Sequence, residues 1–288
     1  MLPRKKAESK ITPGTIIPTE EAPPERIPVS GRKTIMKIAI ITGASSGMGR
    51  EFVRQIGCCG QPLDEVWVIA RRKERLEAFR KESGLPLRVL EGDLLKETVF
   101  EQLEDLLREN MPEIRMLVNA AGFGKSGRAD EIFTEDMRIQ TEMIRLNCEA
   151  LTRMCGICMQ YFSKGSRIIN LSSAAAFCPQ PKFAVYAATK SYVLRFSRAL
   201  GAELKSKGIV VTAVCPGPVD TEFFQVSGAV ENAWKKRTMA EAQSVVHRAL
   251  LDAKAGKQIS VYGFWMKAAR VASKLIPHRW ITAFGQWN

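Results

Sequence analysis

From Lys37 onward, short apolar runs alternate with longer segments whose apolar residues recur every three or four positions. The runs are Lys37–Thr42 (KIAIIT), Glu65–Ala70 (EVWVIA), Leu87–Glu91, Ile114–Asn119 (IRMLVN), Ser166–Leu171 (SRIINL), Ile209–Cys215 (IVVTAVC) and Lys257–Val261. They are short and rich in β-branched residues, as strands buried on both faces are. Between them, Met48–Ile56, Lys73–Glu82, Glu97–Glu109, Glu135–Phe162, Tyr186–Ser206 and Thr238–Lys254 carry the helical period. Regular alternation of strand and helix predicts a parallel sheet with helices on both faces. The expectation is one doubly wound α/β domain of the Rossmann type over residues 36–262.

The two ends break this pattern. Residues 1–35 are rich in Pro, Lys and Glu and lack aromatics, which predicts a disordered leader or an artefact ahead of Met36. Residues 263–288 form a basic, aromatic tail, and no acidic residue occurs from Gly256 to the end. Within it, Gly263–Ile276 predicts an amphipathic helix with Phe264, Ala268, Val271, Ala272 and Leu275 as apolar positions. Three readings suit that helix: docking on the domain or a sister subunit, peripheral contact with a membrane, or a lid over substrate.

Charge and cysteine usage narrow the classes. The chain of 288 residues carries a formal net charge of +13 and is 45% hydrophobic. A basic surface suits an anionic cofactor, an anionic membrane or nucleic acid. No nucleic-acid motif accompanies the charge, so no nucleic-acid partner is expected. No run of eighteen apolar residues suggests a membrane-spanning helix. Seven cysteines and no obvious signal peptide predict a reducing, cytoplasmic setting. Cys155 and Cys158 have redox-motif spacing but fall inside a helix body, and no metal site is expected.

The chemistry-bearing positions cluster at predicted strand ends. The first strand ends in Thr42-Gly43-Ala44-Ser45-Ser46-Gly47-Met48-Gly49. Glycines between a strand and a helix allow a tight turn and close approach of a pyrophosphate to the helix N-terminus. The same stretch fits the G-x-S-x-G elbow of hydrolases. That reading needs a positioned His, and the chain has only His247 and His278. The second strand ends in Ala70-Arg71-Arg72-Lys73, with no acid to receive a ribose hydroxyl. Cations there favour the 2′-phosphate of NADP over NAD. Ser172-Ser173 follow the fifth strand, and Tyr186 and Lys190 sit one helical turn apart. A cation beside a phenol favours the phenolate and predicts a tyrosine tuned downward for proton transfer.

Together these residues resemble the short-chain dehydrogenase/reductase family over Lys37 to about Val261. Thr42–Gly49 resembles its TGxxxGxG turn, Asn119-Ala120-Ala121-Gly122 its NAG motif, and Tyr186-x-x-x-Lys190 its YxxxK signature. Ser173 resembles the family's catalytic serine, Asn147 its helix asparagine, and Pro216-Gly217-Pro218-Val219-Asp220-Thr221 the segment bordering the nicotinamide. Asp93, with Leu94 beside it, resembles the aspartate that meets the adenine. The resemblance implies ketone–alcohol interconversion with NADP(H) and a homo-oligomer, a dimer or tetramer, built on the helices Glu135–Phe162 and Tyr186–Ser206. It implies that Tyr186 donates a proton, Ser173 orients the carbonyl, and Lys190 lowers the phenol's pKa and holds the ribose. Asn147 would support a water leading to Lys190. Gly43, Ser45, Ser46, Gly47, Met48, Gly49, Arg71, Arg72, Asp93, Leu94, Asn119, Ala120, Gly122, Pro216, Gly217, Val219 and Thr221 would contact the cofactor.

Substrate class follows from the segments expected above the nicotinamide: Phe123–Asp130, Ala174–Phe183 and Val219–Trp234. Their aromatics are Phe123, Phe177, Phe183, Phe223, Phe224 and Trp234. Such a lining predicts a bulky apolar ketone or alcohol, a hydroxysteroid/ketosteroid first and a 3-oxoacyl or other lipid ketone second. A family member that binds nucleotide without catalysis is the more remote alternative.

Overall fold

The computed structural model describes residues 35–60, 62–227 and 239–284. The leader 1–34 and the aromatics Trp234 and Trp287 lie outside the described residues. Five strands follow one another with helices between: β1 (Lys37–Thr42), β2 (Glu65–Ala70), β3 (Leu87–Glu91), β4 (Glu113–Asn119) and β5 (Phe162–Leu171). After them come β6 (Val210–Val214), the short pair β7 (Val219–Asp220) and β8 (Ala240–Glu241), and β9 (Ile259–Ser260). Seven strands form one parallel sheet in the order β3-β2-β1-β4-β5-β6-β9. The order reverses between β1 and β4, which opens a crevice at the carboxyl ends of those strands.

Alternation along each strand divides the core in two. Ala39 and Ile41 face one side of β1, and Ile38 and Ile40 the other. On β2, Val66 and Val68 join the first layer, Trp67 and Ile69 the second. The first layer is closed by α1 (Gly47–Gln55), α2 (Lys73–Ser83) and the helix over Ala242–Lys254, through Phe52, Val53, Leu76, Phe79, Val246 and Leu250. The second is closed by α3 (Glu97–Asn110), with Phe100 and Leu103, and by helices of the segment 129–203. Burial on both faces is why the strands read as apolar runs.

The segment expected as one helix over Glu135–Phe162 is several. It comprises α4 (Ala129–Glu135), α5 (Met137–Ile144), a π-helical turn at Arg145–Ala150, α6 (Leu151–Cys158) and a short 3-10 turn. Asp136 breaks the run because its carboxylate accepts the Arg138 N–H at 3.0 Å and caps a new helix. The strand then starts at Phe162, four residues before the expected Ser166. The next helix, α7, spans Ala184–Glu203. It is followed by α8 (Glu222–Ser227), α9 (Ala242–Lys254), α10 (Phe264–Leu275) and α11 (His278–Phe284). No helix among the described residues is long and apolar enough to cross a membrane.

Candidate active site

The glycine turn is built backbone against backbone. Gly43 has φ +68°, and a Cβ there would lie 2.8 Å from the Ala121 nitrogen. A Cβ on Gly49 would lie 2.2 Å from the Gly43 oxygen. Neither position accepts a side chain without moving main chain. Thr42 locks the arrangement: its Oγ1 accepts the N–H groups of Ala120 and Ala121, both at 3.1 Å. Ser46, the N-cap of α1, makes no side-chain capping bond, so the first amides of that helix keep their pull on an anion. This suits a pyrophosphate.

Beside the turn sits a cluster of charge. Arg72 donates from Nε and Nη2 to Ser45 Oγ, both at 3.2 Å, and from Nη2 to Ser46 Oγ at 2.6 Å. Its Nη1 reaches Glu222 at 2.8 Å, and Arg75 reaches the other oxygen of that carboxylate at 2.6 Å. Hydrogen bonds from Arg72 and Arg75 hold the Glu222 carboxyl below its ordinary pKa. Arg71, the expected partner of a 2′-phosphate at the end of β2, is exposed at the cavity rim, with no side-chain hydrogen bond to described residues. The guanidinium drawn inward is that of Arg72. Ser45, the serine of the hydrolase alternative, is occupied by Arg72.

Farther along the crevice, Ser173, Tyr186 and Lys190 meet. Tyr186 and Lys190 are buried on one face of α7. The Lys190 Nζ lies 5.7 Å from the Tyr186 ring centroid and donates to the Leu171 carbonyl at 2.9 Å. Phe183 stacks on Tyr186 at 4.2 Å between centroids, and Phe223 leans on it at 5.4 Å. Burial pushes the Tyr186 phenol up to about 12, and a hydrogen bond with Ser173 pulls the other way. This corrects the expectation of a phenol tuned downward by Lys190. The Lys190 ammonium is committed to the Leu171 carbonyl, and burial sets the direction of the phenol's shift. Burial also brings Lys190 down to about 8, opposed by Cys148 and Cys215.

The two serines after β5 divide their work. Ser172 Oγ donates to the Lys190 carbonyl at 2.8 Å and ties β5 to α7. Ser173 Oγ accepts the Ala175 N–H at 3.1 Å and lines the cavity next to Tyr186. Asn147 sits in the π-helical turn. Its Oδ1 accepts the Phe123 N–H at 3.1 Å, and its Nδ2 donates to the Phe123 carbonyl at 2.9 Å and to Thr189 Oγ1 at 3.1 Å. Asn147 thus fixes the loop after β4. Gly122 makes room for it: a Cβ there would be 2.7 Å from Asn147 Oδ1 and 3.5 Å from Lys190 Nζ.

One cavity of about 560 Å³ joins the glycine turn and Arg72 to Ser173, Tyr186 and Lys190, while Asn147 is buried behind its wall. Of the expected cofactor contacts, Gly43, Ser45, Ser46, Gly47, Met48, Gly49, Arg71, Arg72, Asp93, Leu94, Ala120, Gly122, Pro216, Gly217, Val219 and Thr221 all line it. Asn119 does not. Its side chain is buried, donating to Asn170 Oδ1 at 2.9 Å and to Cys155 Sγ at 3.4 Å. Because successive strand residues face opposite sides, a motif residue can point under the sheet while its neighbours face the ligand. Asp93 spends Oδ1 on the Leu95 N–H at 3.0 Å. Cys155 and Cys158 are free, buried thiols with raised pKa values, set by burial, which removes the redox reading. Two contributors to the lining, Met266 and Ala269 of α10, are not among the apolar positions that the sequence pattern singles out on this helix. Glu222 carried no local signal, because its partners are 147 and 150 positions away.

A doubly wound sheet with a glycine turn at its switch point defines the dinucleotide-binding class. Within it, the chain belongs to the short chain dehydrogenase family, whose profile matches residues 37–232. It is an oxidoreductase of the kind that acts on CH–OH and ketone groups. An uncharacterized oxidoreductase of Staphylococcus epidermidis is 30% identical over 214 residues, 73% of this chain and 87% of the relative. The very-long-chain 3-oxoacyl-CoA reductase of Anas platyrhynchos is 31% identical over 198 residues, 66% of this chain and 62% of its own length. The human 17-beta-hydroxysteroid dehydrogenase type 3 is 27% identical over 201 residues, 68% of this chain and 63% of its own. Among solved structures, a short-chain dehydrogenase from Sphingobium yanoikuyae in complex with NADPH superposes with a TM-score of 0.68. It is 28% identical, and the match covers 87% of this chain and 93% of that one.

Proposed function

We propose that this protein is an NADP(H)-dependent reductase of a bulky apolar ketone, with Ser173, Tyr186 and Lys190 as its working residues. The observation that carries the reading is the neighbourhood of the Tyr186 phenol. Ser173 is on one side, the buried Lys190 beneath, and Phe183 and Phe223 around the ring. The bound nicotinamide cofactor supplies the hydride, and the protein supplies the proton and the geometry.

The phenol is protonated across the neutral range, which is the form a reduction requires. Tyr186 gives its proton to the substrate oxygen as the carbonyl carbon gains hydride, so the ketone leaves as a secondary alcohol. Ser173 donates a second hydrogen bond to that oxygen and holds it in place. Lys190 carries positive charge beneath the phenol and stabilises the tyrosinate that remains. Arg72, with Ser45 and Ser46, would hold the 2′-phosphate, in place of the Glu222 carboxylate that Arg72 pairs with here. Asn147 positions the loop of Gly122 and Phe123.

The apolar lining supports the substrate class. Phe123, Phe177, Phe183, Phe223 and Met266 line the cavity, with Phe183 and Phe223 against Tyr186. A ketosteroid is the first reading and a 3-oxoacyl thioester the second. The names of the duck and human relatives lend both support. A spectrophotometric panel of ketosteroids and 3-oxoacyl thioesters, run with NADPH and with NADH, tests the reading. NADPH oxidation on at least one bulky ketone is expected. Silence across the panel, with NADPH still bound, would leave the non-catalytic alternative standing.

A further inference from the structure

Helix α10 turns its apolar stripe away from the protein. Met266 is its buried residue, and with Ala269 it forms part of the cavity wall. Residues advance by about 100° each around a helix, so Phe264, Ala268, Val271 and Leu275 share the side opposite Met266. Phe264 is 75% exposed, Val271 58% and Leu275 78%. Trp265, Ile276 and Trp280 are exposed beside them. Lys267 and Lys274 run along one edge of the stripe. No acidic residue occurs from Gly256 to the end of the chain.

We propose that this face of α10 seats the protein on an anionic lipid surface, with the helix lying in the interface. Charge selects the occupant. A second copy bound through the same face would set cations against cations, with no carboxylate on the helix itself to separate them. Nucleic acid would meet the lysines and leave Phe264, Val271 and Leu275 in water. A bilayer satisfies both parts: phosphate headgroups pair with the cations, and the acyl boundary receives the aromatic and aliphatic side chains. The opposite side of the same helix walls the cavity, so docking brings the cavity next to the lipid phase that would hold an apolar substrate. That benefit rests on the proposed ketone reading; the surface itself is read from exposure and charge alone.

Flotation of the full-length protein with phosphatidylcholine vesicles, with and without phosphatidylglycerol, tests the proposal without any turnover. Binding is expected only with the anionic lipid, and weaker in physiological salt, where screening shortens. Lys267→Gln with Lys274→Gln should lower partitioning about thirtyfold, at about 1 kcal/mol per cation. Phe264→Ser with Leu275→Ser should remove the part that survives salt. Both pairs are exposed, and a thermal melt checks that the variants stay folded. Absence of wild-type binding would overturn the proposal. So would binding unmoved by both double variants, which would place the contact elsewhere on this basic chain. A Phe264→Ser/Leu275→Ser variant that dissociates an oligomer and still floats with the vesicles would assign the face to a sister subunit.

Discussion

At the scale of residues, the outcome is decided by which atoms burial and hydrogen bonding leave free. Tyr186 keeps its hydroxyl for the cavity, and Ser173 is the hydrogen-bonding group that acts on its pKa. Tyr186→Phe should abolish measurable turnover while NADPH binding stays intact. Ser173→Ala should cut kcat about 10²–10³-fold, the usual cost of one lost donor at a developing oxyanion. Near wild-type turnover in either variant would remove these residues from the chemistry. Lys190 gives a pH dependence. Its ammonium loses its proton as pH rises through about 8. The free-enzyme profile of kcat/KM should therefore fall over that range, and the limb should be absent in Lys190→Met. The stability linkage has the opposite slope. Between pH 8 and 10.5 the unfolded chain binds the Lys190 proton more than the folded protein does, so wild type should gain stability there relative to Lys190→Met. Urea melts at three pH values would check it. A third residue effect belongs to Arg72. Arg72→Asp should raise KM for NADPH far more than Arg71→Asp does, because Arg72 is the guanidinium anchored on Ser45 and Ser46. Glu222→Gln should tighten NADPH, since a carboxylate no longer competes for Arg72. Titration of cofactor fluorescence in the three variants separates these effects.

At the scale of elements, the crevice depends on one threonine. Thr42 stands at the end of β1 and accepts two backbone N–H groups from the loop after β4. Thr42→Val keeps the shape and leaves both donors without that acceptor. An unpaired buried donor costs about 1–3 kcal/mol. The variant should lose about 2 kcal/mol of stability in a denaturant titration and bind NADPH more weakly. A variant as stable as wild type would mean that the turn is held by its glycines alone. The same scale shows why helix boundaries were only partly legible. The β1–α1, β2–α2 and β3–α3 units were readable to within a residue or so, because period and composition are local signals. The segment 129–161 was not, because Asp136 restarts a helix by a local cap and the π-helical turn around Asn147 answers to Phe123 and Thr189, partners supplied by other elements.

At the scale of the whole molecule, we expect a dimer through the outer faces of α5 and α7. Met137 and Ile144 on α5, and Tyr192 on α7, are exposed apolar side chains on these neighbouring helices. Tyr192→Asp with Ile144→Asp should give a monomer by light scattering at micromolar concentration. A monomeric wild type would refute the expectation. This surface does not use α10, so dimer formation and lipid seating are separable.

The order of elements, the glycine turn and the Tyr186–Lys190 spacing were determined by the sequence alone, because each rests on neighbours within one strand or one helical turn. So was the apolar stripe of α10, which is a matter of period. The tertiary structure decided whatever depends on the facing of a side chain toward distant chain. It committed the Ser172 hydroxyl to the Lys190 carbonyl, drew in Arg72 and left Arg71 at the rim, and turned Asn119 under the sheet. It brought Glu222 to two arginines about 150 positions earlier. It also reversed the expected direction of the Tyr186 shift. A cation four residues away is visible in a sequence. The desolvation that raises the phenol comes from the packing of α7, Phe183 and Phe223 around it, and only the assembled fold supplies that.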